Sequence, residues 1–176
     1  MKKMICALVL VSLVLAFPLS SFAQSDVKPI QLSLCRRIQL FGEETSIAGV
    51  RIAIYGVNED MIGIDWGLVH QVNGDLLGWQ SGLVNFVDGD ATGLQEAFYN
   101  RVSGDFLGWQ SGFINVTEST FTGLQSGFVN MSNEMHGIQF GMVNVAETLN
   151  GLQIGLININ KSGDPFLFLP IVNFSF

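Results

Sequence analysis

From residue 46 onward the chain alternates between uncharged stretches rich in glycine and apolar residues and short polar clusters. Five stretches align without gaps: Gly78-Trp-Gln-Ser-Gly-Leu-Val-Asn85, Gly108-Trp-Gln-Ser-Gly-Phe-Ile-Asn115, Gly123-Leu-Gln-Ser-Gly-Phe-Val-Asn130, Gly137-Ile-Gln-Phe-Gly-Met-Val-Asn144 and Gly151-Leu-Gln-Ile-Gly-Leu-Ile-Asn158. The leading glycine recurs at Gly49, Gly63, Gly78, Gly93, Gly108, Gly123, Gly137 and Gly151, with spacings of 14 or 15 residues. A second small residue follows four positions later, at Gly82, Gly112, Gly127, Gly141 and Gly155 among others. A short fixed period signifies one structural unit placed repeatedly beside copies of itself. Two glycines per unit, flanked by β-branched and aromatic residues, oppose a helix. Asn73-Gly-Asp75, Asp88-Gly-Asp90 and Ser103-Gly-Asp105 are turn sequences, because Gly and Asn accept positive φ at low cost. Each unit is therefore extended chain followed by a turn, and the pattern predicts an all-β chain.

Two arrangements satisfy this pattern. In a β-solenoid-like stack of 14–15-residue strand–turn units, like residues lie one strand spacing apart. Gln80, Gln95, Gln110, Gln125, Gln139 and Gln153 then form one amide ladder, and Asn85, Asn100, Asn115, Asn130, Asn144 and Asn158 another. Such a stack places Leu83, Phe98, Phe113, Phe128, Met142 and Leu156 in its core. The alternative is a ten-stranded antiparallel up-and-down β-barrel, to which the closing strand Phe166–Phe176 with its terminal aromatic would be suited. A barrel needs a continuous apolar lipid band, and Ser81, Glu96 and Ser111 interrupt one face while Gly78, Gln80 and Gly82 interrupt the other. The solenoid is the preferred reading. It divides the chain into residues 24–48 as an N-terminal strand or cap, 49–162 as the repeat region and 163–176 as a C-terminal capping strand. Ile30–Phe41 alternates as a strand should, and Pro170 suits a sheet edge.

Charge and composition narrow the function classes. Lys2 and Lys3, the apolar run Ile5–Phe17 and Ser21-Phe22-Ala23 predict a secretory signal peptide over residues 1–23. Of eight basic residues, six lie beyond that segment, against fifteen acidic ones, a net of −9. That balance excludes nucleic acid as a partner, since phosphate binding needs clustered Lys and Arg. Cys35 alone follows the signal segment, so no internal disulfide is expected.

No nucleophile elbow, phosphate loop or zinc motif is present. No catalytic, cofactor-binding or metal site is expected. His70 and His136 lie in different units without metal-ligand spacing and read as tolerated polar positions. The Asp-Gly-Asp turns lose their pattern at Glu118-Ser-Thr120 and read as solvated turns rather than calcium loops. Asp65 replaces the column glutamine of its unit, but no spacing pairs it with a second acid. Asn115-Val-Thr117, Asn130-Met-Ser132 and Asn173-Phe-Ser175 match the glycosylation triplet but carry little weight in a bacterial setting. Trp79 and Trp109 share one repeat position two units apart. The core reading is preferred for both, with an outward aromatic strip for partner contact as the alternative.

The Gly-Leu-Gln-x-Gly-Leu-Val-Asn unit resembles a family of exported bacterial surface-repeat proteins with no established activity. The resemblance spans nearly the whole mature chain, including Pro29–Leu34, Tyr55-Gly-Val-Asn58 and Phe168–Phe176. Gly67-Leu-Val-His70 and Ala97-Phe-Tyr-Asn100 depart from the unit. The resemblance implies a Gram-negative envelope, at the outer membrane or cell surface or alternatively the periplasm. It also implies a non-enzymatic scaffold that contacts a protein or another envelope component, with membrane association as an option. The alternative function is a small outer-membrane barrel, structural or pore-forming.

Overall fold

A computed structural model describes residues 27–176; the signal segment lies outside the described residues. The chain forms β1 (Val27–Cys35), β2 (Ile38–Gln39), β3 (Ser46–Asn58), β4 (Met61–Val72), β5 (Leu76–Ser81), β6 (Val84–Val87), β7 (Ala91–Val102), β8 (Phe106–Asn160) and β9 (Phe168–Ser175). The described residues form a β-solenoid without helix. Successive rungs run parallel and in register with the repeat: Gly63 pairs with Gly78, Gly78 with Gly93 and Gly93 with Gly108. β8 is long because it winds through several rungs without a break. The parallel direction differs from the antiparallel pairing that an up-and-down barrel requires.

The two ends depart from this rule. Ile30–Phe41 is not one strand, because the chain reverses at Arg36-Arg37. β1 pairs parallel with β3, and β2 folds back antiparallel on β1. At the other end β9 lies antiparallel on the last rung, from Gly151–Ser175 to Ile159–Phe168. Pro170 sits in this edge strand, exposed, where its missing N–H removes no inner ladder bond.

The leading glycine of each rung has a φ between 117° and 154°. A Cβ on Gly78 would lie 2.1 Å from the carbonyl oxygen of Gly63, and every rung repeats this approach. This position therefore needs glycine twice over, for its backbone angle and for its space. The second small column works differently. Its φ values are not positive, but a Cβ on Gly127 would meet the Gly112 carbonyl at 2.2 Å and the Asn115 amide at 2.6 Å.

The interior is half apolar and half amide. One apolar column runs through Ile47, Met61, Leu76, Ala91, Phe106, Phe121, Met135 and Leu149, and its partner includes Val72, Val87, Val102 and Ala146. Phe106 and Phe121 stack with centroids 5.0 Å apart. The column Leu83, Phe98, Phe113, Phe128, Met142 and Leu156 does not fill the core. All six point outward and are exposed. The reason is a break in alternation. Gln80 and Asn85 are both fully buried although five residues apart. A continuous strand would put them on opposite faces. Alternation from Gln80 leaves Leu83 outward, and the chain bends at Gly82 and Leu83, which lets Asn85 return inward.

Both amide columns are buried ladders. Gln95 donates to Gln80, Gln110 to Gln95 and Gln125 to Gln110, each at 2.8 Å, so the glutamine N–H groups point toward the N-terminal end. Asn85 donates to Asn100, Asn100 to Asn115 and Asn115 to Asn130, each at 2.9 Å, in the opposite sense. The second N–H of Asn115 reaches the Ser126 carbonyl at 2.8 Å. A primary amide suits this place because it donates and accepts along one axis, so each rung satisfies its neighbours.

Candidate interaction surface

Three outward columns form one face along the solenoid. The first contains Ile64, Trp79, Trp109 and Ile138, the third contains Leu68, Leu83, Phe98 and Phe113, and the column of Ser81 lies between them. Trp79 and Trp109 are 39% and 46% exposed, so the core reading of these two residues is corrected. Their indole N–H groups are held within the chain, Trp79 by the Glu96 carboxylate at 3.2 Å and Trp109 by the Ser126 hydroxyl at 3.0 Å. With the N–H satisfied, each ring presents its apolar surface outward. Phe98, Phe113 and Phe128 stack at 4.9 Å intervals, the spacing of the rungs.

The small-residue column is the floor of this face. At the N-terminal end Ala53 and Gly67 underlie an open groove of about 870 Å³ walled by Leu32, Ile52, Ile54, Trp66 and Leu68. At the C-terminal end Gly127, Gly141 and Gly155 underlie a second of about 500 Å³ walled by Phe128, Phe140, Met142, Ile154 and Ile171. Gly78, Gly108, Gly123, Gly137 and Gly151 set the bend beside the first column, and Gly82 and Gly112 continue the floor. Asn85, Asn115, Asn130, Asn144 and Asn158 lie behind it, fully buried, in the ladder. Asn115, Asn130 and also Asn173 thus present no side chain for glycosylation.

Charge is gathered at the turns. Asp75, Asp90 and Asp105 stack there, and each carboxylate accepts the backbone N–H of the next rung, Asp90 N–H to Asp75 at 2.8 Å and Asp105 N–H to Asp90 at 2.8 Å. The hydroxyl of Ser119 and the N–H of Thr120 continue the column and hold the Asp105 carboxyl below its ordinary value. These contacts use the carboxylates within the chain. Among the described residues, no three His, Cys, Asp or Glu side chains are grouped to hold a metal ion.

One charged group lies inside. Arg51, Asp65 and His70 are fully buried at the N-terminal end of the two ladders. His70 occupies the asparagine column and Asp65 the glutamine column, while His136 is exposed on another rung. The Asp65 carboxylate takes Arg51 Nε at 2.8 Å and Gln80 Nε2 at 2.8 Å, and His70 Nδ1 lies 2.8 Å away. Burial would raise the Asp65 pKa, but the Arg51 charge and hydrogen bonds, with His70, outweigh it and hold the carboxyl far below the ordinary range. His70 and Asp65 side by side resemble a catalytic pair only on paper, since neither has any surface to offer a substrate. Arg51 is the member that sequence reading missed; an arginine one rung before Asp65, in the column that holds glutamine from Gln80 onward, was the available signal.

No family model, curated protein or solved structure matches the chain.

Proposed function

We propose that this protein is a non-enzymatic, exported scaffold of the bacterial cell envelope whose apolar face binds a partner. The observation that carries the proposal is that face itself. Eight rungs turn Ile, Leu, Trp, Phe and Met side chains outward along one side, with Glu96 the charged residue in its middle column and most other surface charge near the turns. Soluble monomers rarely expose an apolar patch beyond about 300–600 Å² without using it for contact. The interior amides are for the most part hydrogen bonded to one another, and Arg51, Asp65 and His70 are sealed from solvent, so the outer surface is what the fold offers. The N-terminal sequence supports export, and the unit's resemblance to surface repeats supports an envelope setting.

The test is cell fractionation with protease shaving of intact cells expressing the full chain. Recovery in the envelope fraction with removal of residues 1–23 is expected. Recovery of an uncleaved chain in the cytoplasm would overturn the proposal.

A further inference from the structure

We infer that the partner of the apolar face is a second copy of the same chain, docked face to face with its solenoid axis reversed. This rests on the proposal that the face binds a partner, and it adds the partner's identity.

The decisive feature is the order of residues along the middle column. Read from the N-terminal end it begins Ile52, Trp66; read from the C-terminal end it begins Ile154, Phe140. Between them lie only Ser81, Glu96, Ser111 and Ser126. The column is thus apolar, polar, apolar, with a mirror point between Glu96 and Ser111. A two-fold interface demands this self-complementarity, since residue i of one copy meets residue j of the other and j meets i. Reversal about that point sets the N-terminal groove of one copy against the C-terminal groove of its mate, Trp66 opposite Phe140. Of the two flanking columns, the third sets Phe98 opposite Phe113, ring against ring, and the first pairs unlike sizes. Trp79 falls opposite Leu124 and Trp109 opposite Leu94, a large ring on a smaller side chain in both cases.

A lipid surface fits less well. Glu96 and three serines at the centre of the face would enter hydrocarbon, where a carboxylate is costly. Between two copies the same groups meet one another. The dimensions also agree. From Ile52 to Ile154 the face is roughly 34 Å long, and from Trp79 to Leu83 it is at most about 13 Å wide because the chain bends at Gly82, so a pair covers up to about 900 Å² before side-chain relief, against the ~1,000 Å² of a specific interface. The groove walls from β1, β2 and Ile171 add to that area.

The test is sedimentation of the purified full chain without detergent, with two single variants, Trp66→Lys and Phe140→Glu. Both side chains are more than half exposed, so neither substitution empties the core; far-UV circular dichroism checks the fold. The wild type is expected to be a dimer at 10–100 μM and each variant a monomer, a loss of at least tenfold in association, as for a buried hot-spot residue. An equimolar mixture of the two variants is expected to recover a heterodimer, because reversal brings the introduced opposite charges together. A monomeric wild type, a dimer untouched by either variant, or a mixture that stays monomeric overturns the inference. A monomeric wild type that binds phosphatidylglycerol–phosphatidylethanolamine vesicles also overturns it and assigns the face to lipid. In each of these cases envelope fractionation reports separately whether the scaffold proposal survives.

Discussion

Arg51 and Asp65 face each other on adjacent rungs, fully buried, with two hydrogen bonds of 2.8 and 2.5 Å between guanidinium and carboxylate. The pair ends the glutamine ladder. Gln80 points its N–H toward the N-terminal end, where Asp65 can only accept and Arg51 can only donate. Arg51 also donates to the Asn58 side chain and the Gln71 carbonyl, each at 3.2 Å. Asp65→Gln leaves the guanidinium without a counter-charge in a sealed interior and is expected to cost about 3–5 kcal/mol. Replacing Arg51→Gln, Asp65→Gln and His70→Asn together extends both ladders by their own rule. It also gives Asn85 Oδ1, which has no donor beside His70, a partner. The triple variant should recover most of the loss in urea unfolding. If it is no more stable than Asp65→Gln alone, the ladder explanation is wrong.

Acid should expose the same pair. The folded pKa of Asp65 lies below its unfolded value, so the unfolded chain binds the proton first as pH falls. The contribution of the ion pair is complete above the ordinary carboxylate range, about pH 4, and is lost progressively below it. Glu118, held low by its hydrogen bonds to Arg101, shifts in the same direction at the surface. Melting temperatures between pH 5 and pH 2, below the histidine range, should fall more steeply for the wild type than for the triple variant. Parallel curves would remove Asp65 as the cause.

The middle of the glutamine ladder makes a sharper case for satisfied burial. Gln110 donates to Gln95 and accepts from Gln125 at 2.8 Å each. Gln110→Leu is close in size but strands one acceptor above and one donor below. At about 1–3 kcal/mol for each stranded group, a loss of about 2–6 kcal/mol is expected in chemical denaturation. A leucine that stabilised the chain would mean that the amides are tolerated rather than needed.

Much of this architecture is legible in the residue pattern. The period, the glycine columns, the turns and both amide ladders follow from spacing alone, because an amide that recurs at one position needs a partner at one strand separation. The facing of Leu83, Phe98 and Phe113 is not legible. Assigning them to the core counts back by alternation from the buried Asn85, and the bend at Gly82 and Leu83 breaks that count. The Leu76 column, which does fill the core, varies among Ile, Met, Leu, Ala and Phe and forms no repeated letter to notice, and the Val87 column keeps valine only at 72, 87 and 102 before turning to Thr117. The charged triad was hidden for a related reason. Asp65 stands out as a break in a column, but its meaning depends on Arg51 in the rung before.

Gly127 tests the closeness of neighbouring rungs. Its φ is not restrictive, yet an added Cβ would lie 2.2 Å from the Gly112 carbonyl, well inside contact distance. Gly127→Val is expected to destabilise by about 3 kcal/mol or more, as other severe backbone clashes do. Gly163→Ala is a useful contrast. Its φ of 76° strains an alanine, but nothing lies within 4 Å, so only the conformational cost of about 1 kcal/mol applies. Thermal unfolding of the two variants side by side should show the larger loss at position 127.

The inside-out assignment of the aromatics yields the most direct comparison. Phe106 is buried and stacked on Phe121, whereas Phe113 is 44% exposed and stacked between Phe98 and Phe128. Truncating an inward phenylalanine removes buried area and leaves a cavity, so Phe106→Ala should cost about 3–5 kcal/mol. Phe113→Ala removes two ring contacts worth about 0.5–1.5 kcal/mol each and opens no cavity, so about 1–3 kcal/mol is expected. The ranking reverses if the repeated Leu and Phe positions line the interior. Equal or inverted losses in the unfolding midpoints would therefore reject the outward face on which partner binding depends.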